Sequence, residues 1–355
     1  MTDSIDYQLI KSLGDSHCHL DVSCTEDDIN KLTTLFNSSD FPLNNRASYF
    51  HIMSTNHIDI LLLDKLLDQL NQDLVVPYFG VHPWYSHLFS IINRDSTTDL
   101  KQFKLNHYQS VLTPSPSPEI LDILPDPIDL NNHLKLIENL IQKHKLKFNY
   151  GIGEIGLDKL FRIPTNGYYG NQLHPNDGDN KLSPHKVNIS HQNIVFEKQL
   201  ELANKLKKQV SIHCVKAHGS LFDTIPKYTQ LSSVLLHSFT GSIEQGIRWI
   251  NYYKSLGEEN TKLYFSFSNW INGSDNKRQL LEGLLSVLQP NQILIETDIS
   301  IDRYLIGSDT DNLITTDEYF EHLIDIFKKI CNIRQWNSLH EQSQTIFQNI
   351  STSII

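Results

Sequence analysis

The sequence predicts an α/β protein of the TIM (β/α)8 barrel type, and three observations support this prediction. Eight apolar, β-branched segments alternate with stretches whose apolar residues recur at helical spacing. Such continuous apolar runs are typical of parallel strands that are buried on both faces. Polar residues follow several of the strands, where a barrel places its active site. A doubly wound open sheet is the alternative, but it would require a glycine-rich loop after an early strand, where this chain has Asp-Ser-His-Cys-His.

In the first half of the chain, strands are predicted at about 12–19, 47–54, 74–81 and 148–155. Helices are predicted at about 26–37, 60–70 and 129–146. The helix at 60–70 has the clearest periodicity, because its apolar residues fall on one face: Ile60, Leu63, Leu66, Leu67 and Leu70.

In the second half, strands are predicted at about 209–214, 233–237, 262–268 and 292–298. They alternate with helices at about 191–208, 217–225, 242–255 and 276–288, the last of which ends before Pro290. Two further helices, at about 317–331 and 334–350, close the chain.

Two excursions interrupt this alternation and bring the chain above the roughly 250 residues of an ordinary barrel. The first, at about 86–127, contains alternating prolines from Thr113 to Pro118, which exclude a regular helix or a central strand there. We expect it to be long and partly mobile. The second, at about 159–190, is rich in Gly, Asn, Pro and Asp. Because the alternation resumes after each excursion, we interpret both as insertions in a single domain spanning 1–355.

Composition and charge narrow the functional classes. The net charge of −11 disfavours a broad electrostatic surface for nucleic acid, although a nuclease with bound cations and a few basic residues remains compatible with it. No apolar run approaches the roughly 20 residues that span a bilayer, and the first residues lack a signal-peptide core. The four cysteines form no disulfide framework. We therefore expect no membrane association and a cytoplasmic and/or nuclear location with reduced thiols.

Histidines and carboxylates recur at the predicted carboxyl ends of the strands. Two of them, His17 and His19, share one face of the first strand because side chains alternate, and Cys18 points to the other face. In a barrel these strand ends meet at one mouth. We therefore expect the following candidate metal ligands to converge: His17, His19, Glu154, His213, His237 and Asp298.

Four imidazoles and two carboxylates suit two divalent metal ions, with Glu154 placed to bridge them. Nitrogen and oxygen ligands favour Zn²⁺ or Mn²⁺, and a carboxylate-rich half also suits Mg²⁺. Any one of these residues is also consistent with a structural role, such as a buried histidine or a helix cap. Their common placement favours the metal site. Cys18 and Cys214 are predicted to be packing residues, and eight other histidines to be structural: His51, His57, His133, His144, His185, His191, His322 and His340.

These motifs resemble the TatD family of metal-dependent hydrolases, within the amidohydrolase-like barrels. The matching segments, in family order, are Asp15–Asp21, Gly80–Trp84, Gly151–Asp158, Val210–Cys214, Leu236–Gly241 and Ile295–Asp298. The resemblance implies a divalent metal site and hydrolysis of phosphodiester bonds in DNA, as in a 3′→5′ exonuclease or related deoxyribonuclease. The insertions look like those of a fungal branch of the family.

The sequence departs from the family pattern beside three of the motifs. The chain has Val215-Lys216 where the family often has Arg-Asp, and Ile299-Ser300 where it usually has a small residue and Pro. It also has Ser238 where Cys is common. None of these departures removes a predicted ligand, but they alter residues expected near the substrate.

The predicted mechanism assigns one metal to His17, His19, Glu154 and Asp298, and the second to His213, His237 and the shared Glu154. Asp298 and Glu154 are the predicted catalytic residues, and Asp298 would orient a water and accept its proton. Three further residues are predicted to contact the substrate: His82, Arg162 and Lys216. Two alternatives remain, namely hydrolysis of a C–N or lactone bond at the same site, and a barrel in which the segment 111–127 adds a protein-binding role.

Overall fold

The fold is known from a computed structural model, which describes residues 6–94, 97, 99–175, 181–257, 262–307 and 316–354. Eight strands form one sheet in the order of the sequence. They are β1 (Asp15–His19), β2 (Phe50–Met53), β3 (Val75–Phe79), β4 (Gly151–Asp158), β5 (Val210–Val215), β6 (Ser233–Leu236), β7 (Lys262–Ser268) and β8 (Ile293–Glu296). Every neighbouring pair along this order is parallel.

Backbone hydrogen bonds close the sheet between its first and last strands. Asp298 N donates to His17 O at 3.0 Å, and His19 N donates to Ile299 O at 3.0 Å. The predicted (β/α)8 barrel is therefore confirmed. The closure also draws the carboxyl ends of β1 and β8 together, which places Asp298 beside the two histidines of β1.

The described helices are α1 (Tyr7–Lys11), α2 (Glu26–Asn37), α3 (Asp59–Gln69), α4 (Leu100–Val111), α5 (Pro118–Ile123), α6 (Leu130–His144), α7 (Ile189–Leu206), α8 (His218–Thr224), α9 (Ile243–Leu256), α10 (Arg278–Val287), α11 (Ile301–Leu305), α12 (Thr316–Arg334) and α13 (Leu339–Ser353). Capping boxes begin α2 at Thr25 and α9 at Ser242, which satisfies exposed backbone N–H groups. The apolar face predicted for α3 is buried against the barrel. Among the described residues, no helix is long and apolar enough to cross a membrane, and all four cysteines are free.

The first excursion is not the irregular segment that its prolines suggest. It contains α4 and α5, and α5 begins at the last proline of the run with Ser117 as its N-cap. Proline is tolerated in the first turn because its missing N–H would have no partner there. The short antiparallel pair Leu112↔Val187 joins the two excursions. Together they build a second apolar cluster whose members include Leu88, Phe89, Tyr108, Leu124, Ile163 and Tyr168.

Candidate metal centre

Two irregularities in strand pairing lie at the candidate ligands. The register of β1 against β2 shifts between Asp15 and Cys18, around His17. The register of β4 against β5 shifts between Ile152 and Ile155, around Glu154. Such shifts are common next to active sites because they redirect a side chain. Here they accompany two side chains that lie in the barrel mouth.

The Glu154 carboxylate lies at the middle of the cluster and is buried. Its Oε1 atom lies 2.8 Å from both His213 Nδ1 and His237 Nε2, and 3.2 Å from His82 Nε2. Its Oε2 atom lies 3.4 Å from both His17 Nε2 and His19 Nε2. The two oxygens therefore face different groups of imidazoles, as a carboxylate that bridges two cations would.

Asp298 completes the half of the cluster that Oε2 faces. Its Oδ1 atom lies 3.4 Å from His19 Nε2 and 3.9 Å from His17 Nε2. The backbone of Asp298 is left-handed, with φ at 58°, and Ser238 and Lys216 also have positive φ at neighbouring strand ends. Non-glycine residues rarely adopt this conformation, and it concentrates at functional sites. All six predicted ligands thus lie together at the carboxyl mouth.

The outer ring nitrogens show which histidines present an unprotonated nitrogen to the centre. His17 Nδ1 lies 2.9 Å from the Ser211 hydroxyl, and His213 Nε2 lies 3.4 Å from Asp158 Oδ2. Both oxygens can accept the outer proton, and in that tautomer the inner nitrogen of each ring would be free to bind a cation. His82 differs, because its Nδ1 accepts the Trp84 backbone N–H at 3.2 Å. A neutral His82 therefore carries its proton on Nε2 and acts as a donor.

The electrostatics of the cluster depend on Glu154. Burial alone would raise the pKa of its carboxyl, but electrostatic attraction to the imidazoles of His82, His237 and His17 holds that pKa well below its usual value. Burial opposes protonation of His237 as well, yet Glu154 and Glu296 raise its pKa well above the usual value. For His82, burial prevails and lowers the pKa to about 4. One buried anion thus organises several imidazoles, and His82 remains neutral at neutral pH.

The donor set fits divalent cations. It consists of imidazole nitrogens and carboxylate oxygens, and several groups of three ligand atoms lie within 4.8 Å of one another. The Nδ1 atom of His237 is buried without a hydrogen-bond partner, 3.4 Å from Glu296 Oε1. Within the described residues, neither Cys18 nor Cys214 belongs to these groups.

Three residues around the cluster are functional candidates that the sequence reasoning missed: Ser211, Asp158 and Glu296. Asp158 accepts a hydrogen bond from Trp84 Nε1 at 2.8 Å and also contacts His213. Glu296 accepts the N–H and hydroxyl of Ser238 at 2.7 and 2.6 Å. A signal existed for two of them, because Asp158 ends the Gly151–Asp158 motif and Glu296 stands two residues before Asp298.

The three predicted substrate residues occupy two different settings. His82 is buried and lies inside the cluster, at its distance of 3.2 Å from Glu154. Arg162 and Lys216 are exposed on the loops that follow β4 and β5. The structure therefore places these two cations on the rim and does not bring them into the cluster.

A separate carboxylate–imidazole group lies between α3 and α6 and consists of Asp64, Asp68 and His144. The Lys143 ammonium lies 2.7 Å from Asp64 Oδ1 and 2.6 Å from Asp68 Oδ2. Since a cation already neutralises both carboxylates, this group is an ion-pair cluster of the surface. His144 takes part in it at 2.6 Å from Asp64, in agreement with its predicted structural role.

A closed (β/α)8 barrel with imidazoles and carboxylates at its carboxyl mouth defines the class of metal-dependent barrel hydrolases. A family model described as TatD related DNase matches residues 14–352. The chain therefore belongs to the TatD-related DNase family, and the resemblance seen in the sequence motifs is confirmed.

Individual relatives share sequence with this chain, and a solved structure shares its fold. A Saccharomyces cerevisiae protein named as an uncharacterized deoxyribonuclease is 35% identical over 263 residues, which cover 71% of this chain and 75% of that protein. The Cut9-interacting protein scn1 of Schizosaccharomyces pombe is 29% identical over 323 residues, covering 81% and 87%. The 3′-5′ ssDNA/RNA exonuclease TatD of Edwardsiella piscicida is 33% identical over 109 residues, covering 30% and 38%. The crystal structure of a TatD homologue from Escherichia coli K12 superposes with a TM-score of 0.52 at 16% identity, covering 97% and 98%, and supports the fold.

Proposed function

We propose that this chain is a metal-dependent deoxyribonuclease of the 3′→5′ exonuclease type, acting on single-stranded DNA through two divalent ions. The observation that carries the proposal is the cluster around Glu154, in which one buried carboxylate faces imidazoles on both of its oxygens. Family membership and the names of the deoxyribonuclease and exonuclease relatives support the substrate.

Each residue of the centre has a defined part in the proposed reaction. His17, His19, Glu154 and Asp298 would hold one ion, and His213, His237 and Glu154 the other. When bound, the two ions would supply charge for the phosphate and lower the pKa of a water. Asp298 would orient a water and accept its proton through a carboxylate oxygen.

Three side chains are proposed to position the scissile phosphate. The Nε2–H of His82 faces Glu154 Oε1 at 3.2 Å inside the mouth, and a phosphate oxygen bound there would be a second acceptor for it. Arg162 and Lys216 supply exposed positive charge at the rim, where the chain's net charge of −11 would otherwise repel the substrate. Position, and not overall charge, thus determines where DNA approaches.

The proposal is tested with protein stripped of metal and reconstituted with Mg²⁺, Mn²⁺ or Zn²⁺. Asp298→Asn preserves the shape of the side chain and tolerates the left-handed backbone, so it removes the base without distorting the loop. We expect hydrolysis of a 5′-labelled single-stranded oligonucleotide to fall by about 10²- to 10⁴-fold. Asp223→Asn is the matched control, since this carboxylate is exposed on α8 and pairs only loosely with Arg248 at 3.8 Å.

Equal rates for wild type and Asp298→Asn would refute the assignment of the base. The same preparations are assayed on an amide and a lactone. Hydrolysis of either one, with the oligonucleotide left intact, would favour the alternative of a C–N or lactone hydrolase. The metal content of each sample, measured by mass spectrometry, identifies the ion that supports the reaction.

A protein-binding role for the insertions is proposed in addition. The name of the Schizosaccharomyces pombe relative describes an interaction with Cut9, and that relative matches 81% of this chain. In the first insertion, Ile92 is 67% exposed next to Ile91. Ile92→Asp would abolish co-purification of a partner with tagged protein and leave hydrolysis unchanged. An unchanged set of co-purified proteins would contradict the role of this surface.

A further inference from the structure

Three aromatic rings form a half-exposed cluster at the rim of the metal centre, here called the aromatic platform: Trp84, Phe161 and Tyr169. The rings of Trp84 and Phe161 are nearly parallel, with centroids 5.0 Å apart and an angle of 12°. The Tyr169 ring lies 5.7 Å from Trp84 and 6.2 Å from Phe161. All three side chains remain partly exposed, whereas Tyr108 and Tyr168 of the neighbouring insertion core are buried.

The platform is continuous with the metal centre. The Trp84 ring meets His82 edge-on at 5.0 Å and lies 6.3 Å from the ring of His213. Asp158 fixes this arrangement, because it accepts Trp84 Nε1 on one oxygen and the backbone N–H of Phe161, at 2.9 Å, on the other. The same carboxylate contacts His213 Nε2. One buried anion therefore holds both the platform and a candidate metal ligand.

Exposed cations surround this part of the rim. Lys159 and Lys216 directly follow the paired strand ends Asp158 and Val215, and Arg162 directly follows Phe161. A surface that combines aromatic faces with nearby positive charge is the chemistry that binds unpaired bases and their phosphates. Phe161 and Tyr169 belong to the second insertion, so this feature is built by the segment that lengthens the barrel.

We propose that the aromatic platform stacks an unpaired nucleobase of single-stranded nucleic acid next to the phosphate that is hydrolysed. This inference rests on the proposed function, and it identifies an unpaired base as the part of the substrate that contacts the rim. Phe161 and Tyr169 contact the base, and Trp84 transmits their position to the metal centre. Inside a duplex the neighbouring bases cover both faces of a base, so the platform favours single strands, whose bases are free to stack on it.

The test uses three short single-stranded oligonucleotides: an intact strand, and two strands with one abasic site each, at the last or at the penultimate 3′ nucleotide. Stacking of one base on an aromatic ring corresponds to about a 5- to 150-fold change in binding. In wild type we expect kcat/KM for the intact strand to exceed kcat/KM for at least one of the two abasic strands, by a factor within this range. Phe161→Leu retains an apolar side chain without the aromatic face, so the ratio falls toward one. Phe161→Tyr restores it.

Tyr150→Leu is the matched control. Tyr150 is a half-buried tyrosine that immediately precedes β4, at the end of that strand opposite the mouth, and Lys208 lies over its ring at 4.8 Å. Its substitution leaves the ratio of intact to abasic strand at the wild-type value. Far-ultraviolet circular dichroism and thermal midpoints verify that each variant is folded, and Tyr169→Leu replaces Phe161→Leu if the latter does not fold.

Equilibrium binding of the same strands to metal-free protein, followed by fluorescence anisotropy, separates this inference from the proposed function. Tighter binding of the intact strand, lost in Phe161→Leu, supports the platform even when no strand is hydrolysed. Equal affinity for intact and abasic strands, or no binding of the intact strand, overturns it. If wild type hydrolyses the intact strand and both abasic strands at equal rates, the platform is overturned and the nuclease assignment still stands.

Discussion

At the scale of single residues, the hydroxyl of Ser211 has a defined effect on the centre. It lies 2.9 Å from His17 Nδ1 and is fully buried on β5. The hydroxyl can accept the Nδ1 proton, and in that tautomer His17 Nε2 is unprotonated and faces Glu154 at 3.4 Å. Partners of this kind fix the tautomer of a ligating histidine, and their loss typically costs 10- to 100-fold in metal affinity.

Ser211→Ala is therefore expected to weaken divalent metal binding by roughly 10- to 100-fold. Metal affinity is measured by competition with a chromogenic chelator. Ser233→Ala is the control, because Ser233 is also buried in a barrel strand but donates to Ser353 O at 2.6 Å. Both variants lose a buried hydrogen bond, yet only Ser211→Ala should lose metal. An equal effect of the two on affinity would show that Ser211 acts through stability alone.

The sequence alone predicts the six candidate ligands but not the partners that orient them. The ligands follow from two regularities, the alternation of side chains in β1 and the convergence of strand ends in a barrel. Ser211, Asp158 and Glu296 each contact a candidate ligand on a different strand, so their roles depend on the distances between strands. Those distances depend on the register shifts at His17 and Glu154, which periodicity does not encode.

At the scale of elements, β4 and β5 approach each other closely where the centre is built. The backbone of Gly156 on β4 has φ at 150°, and a Cβ there would overlap the carbonyl oxygen of His213 on β5. Glycine is thus required both by conformation and by space. This close approach brings His213 within 2.8 Å of Glu154.

Gly156→Ala is expected to destabilise the fold by about 2–3 kcal/mol, because the added methyl group forces the two strands apart. It should also lower metal affinity, since His213 moves with β5. Gly219→Ala is the matched control, because a Cβ at Gly219 on α8 meets nothing within 4 Å. Chemical denaturation measures both free energies of unfolding. A Gly156→Ala protein as stable as Gly219→Ala would contradict the close approach.

Strands such as β6 and β8 were predictable because they are buried on both faces and mostly apolar, whereas β1 consists mainly of polar residues and was predicted from its place before the first helix. The ends of the strands were less predictable than their existence. For example, β2 covers Phe50–Met53, whereas a strand at about 47–54 was predicted. The helix α4 was missed because the first insertion packs against the second, about 70 residues further along the chain, as in the pair Thr113↔Lys186. Periodicity within one segment does not show such a partner.

At the scale of the whole molecule, we propose that residues 1–355 form one domain that includes both insertions. The helices α6 and α7 carry residues of both apolar clusters: Ile137 and Phe196 belong to the barrel core, and Leu130 and Val195 to the insertion core. Leu134 packs against both. Because the same helices serve the two cores, we expect a single unfolding transition at neutral pH.

Five histidines around the insertion core are buried or half-buried, and three of them contact backbone carbonyls. His87 contacts Gly167 O at 3.0 Å, His107 contacts His87 O at 2.8 Å and His191 contacts Ser86 O at 2.9 Å. Burial lowers the pKa of all five: His57, His87, His107, His133 and His191. The pKa is about 3 for His87 and about 4 for His57, His107 and His133. Each is therefore neutral in the fold at neutral pH.

The sign of the resulting pH dependence follows from proton binding. Between the ordinary histidine pKa near 6.5 and about 4, the unfolded chain binds protons that the folded chain excludes, so stability falls as pH falls. Each such histidine contributes up to about 1.4 kcal/mol per pH unit to this slope. Buried carboxyls act in the opposite sense, because burial raises the pKa of Asp59 and Asp302 to about 6. The net slope mixes both contributions, and a single substitution isolates one of them.

His133→Leu is the substitution that isolates one histidine. Its Nε2 atom is buried without a hydrogen-bond partner, and its ring packs against Phe89 at 4.8 Å, so an apolar side chain of similar size fits. We expect the slope of the free energy of unfolding between pH 6.5 and 4.5 to decrease by up to about 1.4 kcal/mol per pH unit relative to wild type. The exposed His340→Leu serves as control, because folding removes little of its ring from solvent. Identical slopes for wild type and His133→Leu would show that the insertion core admits protons, and that its histidines do not set the acid limit of the fold.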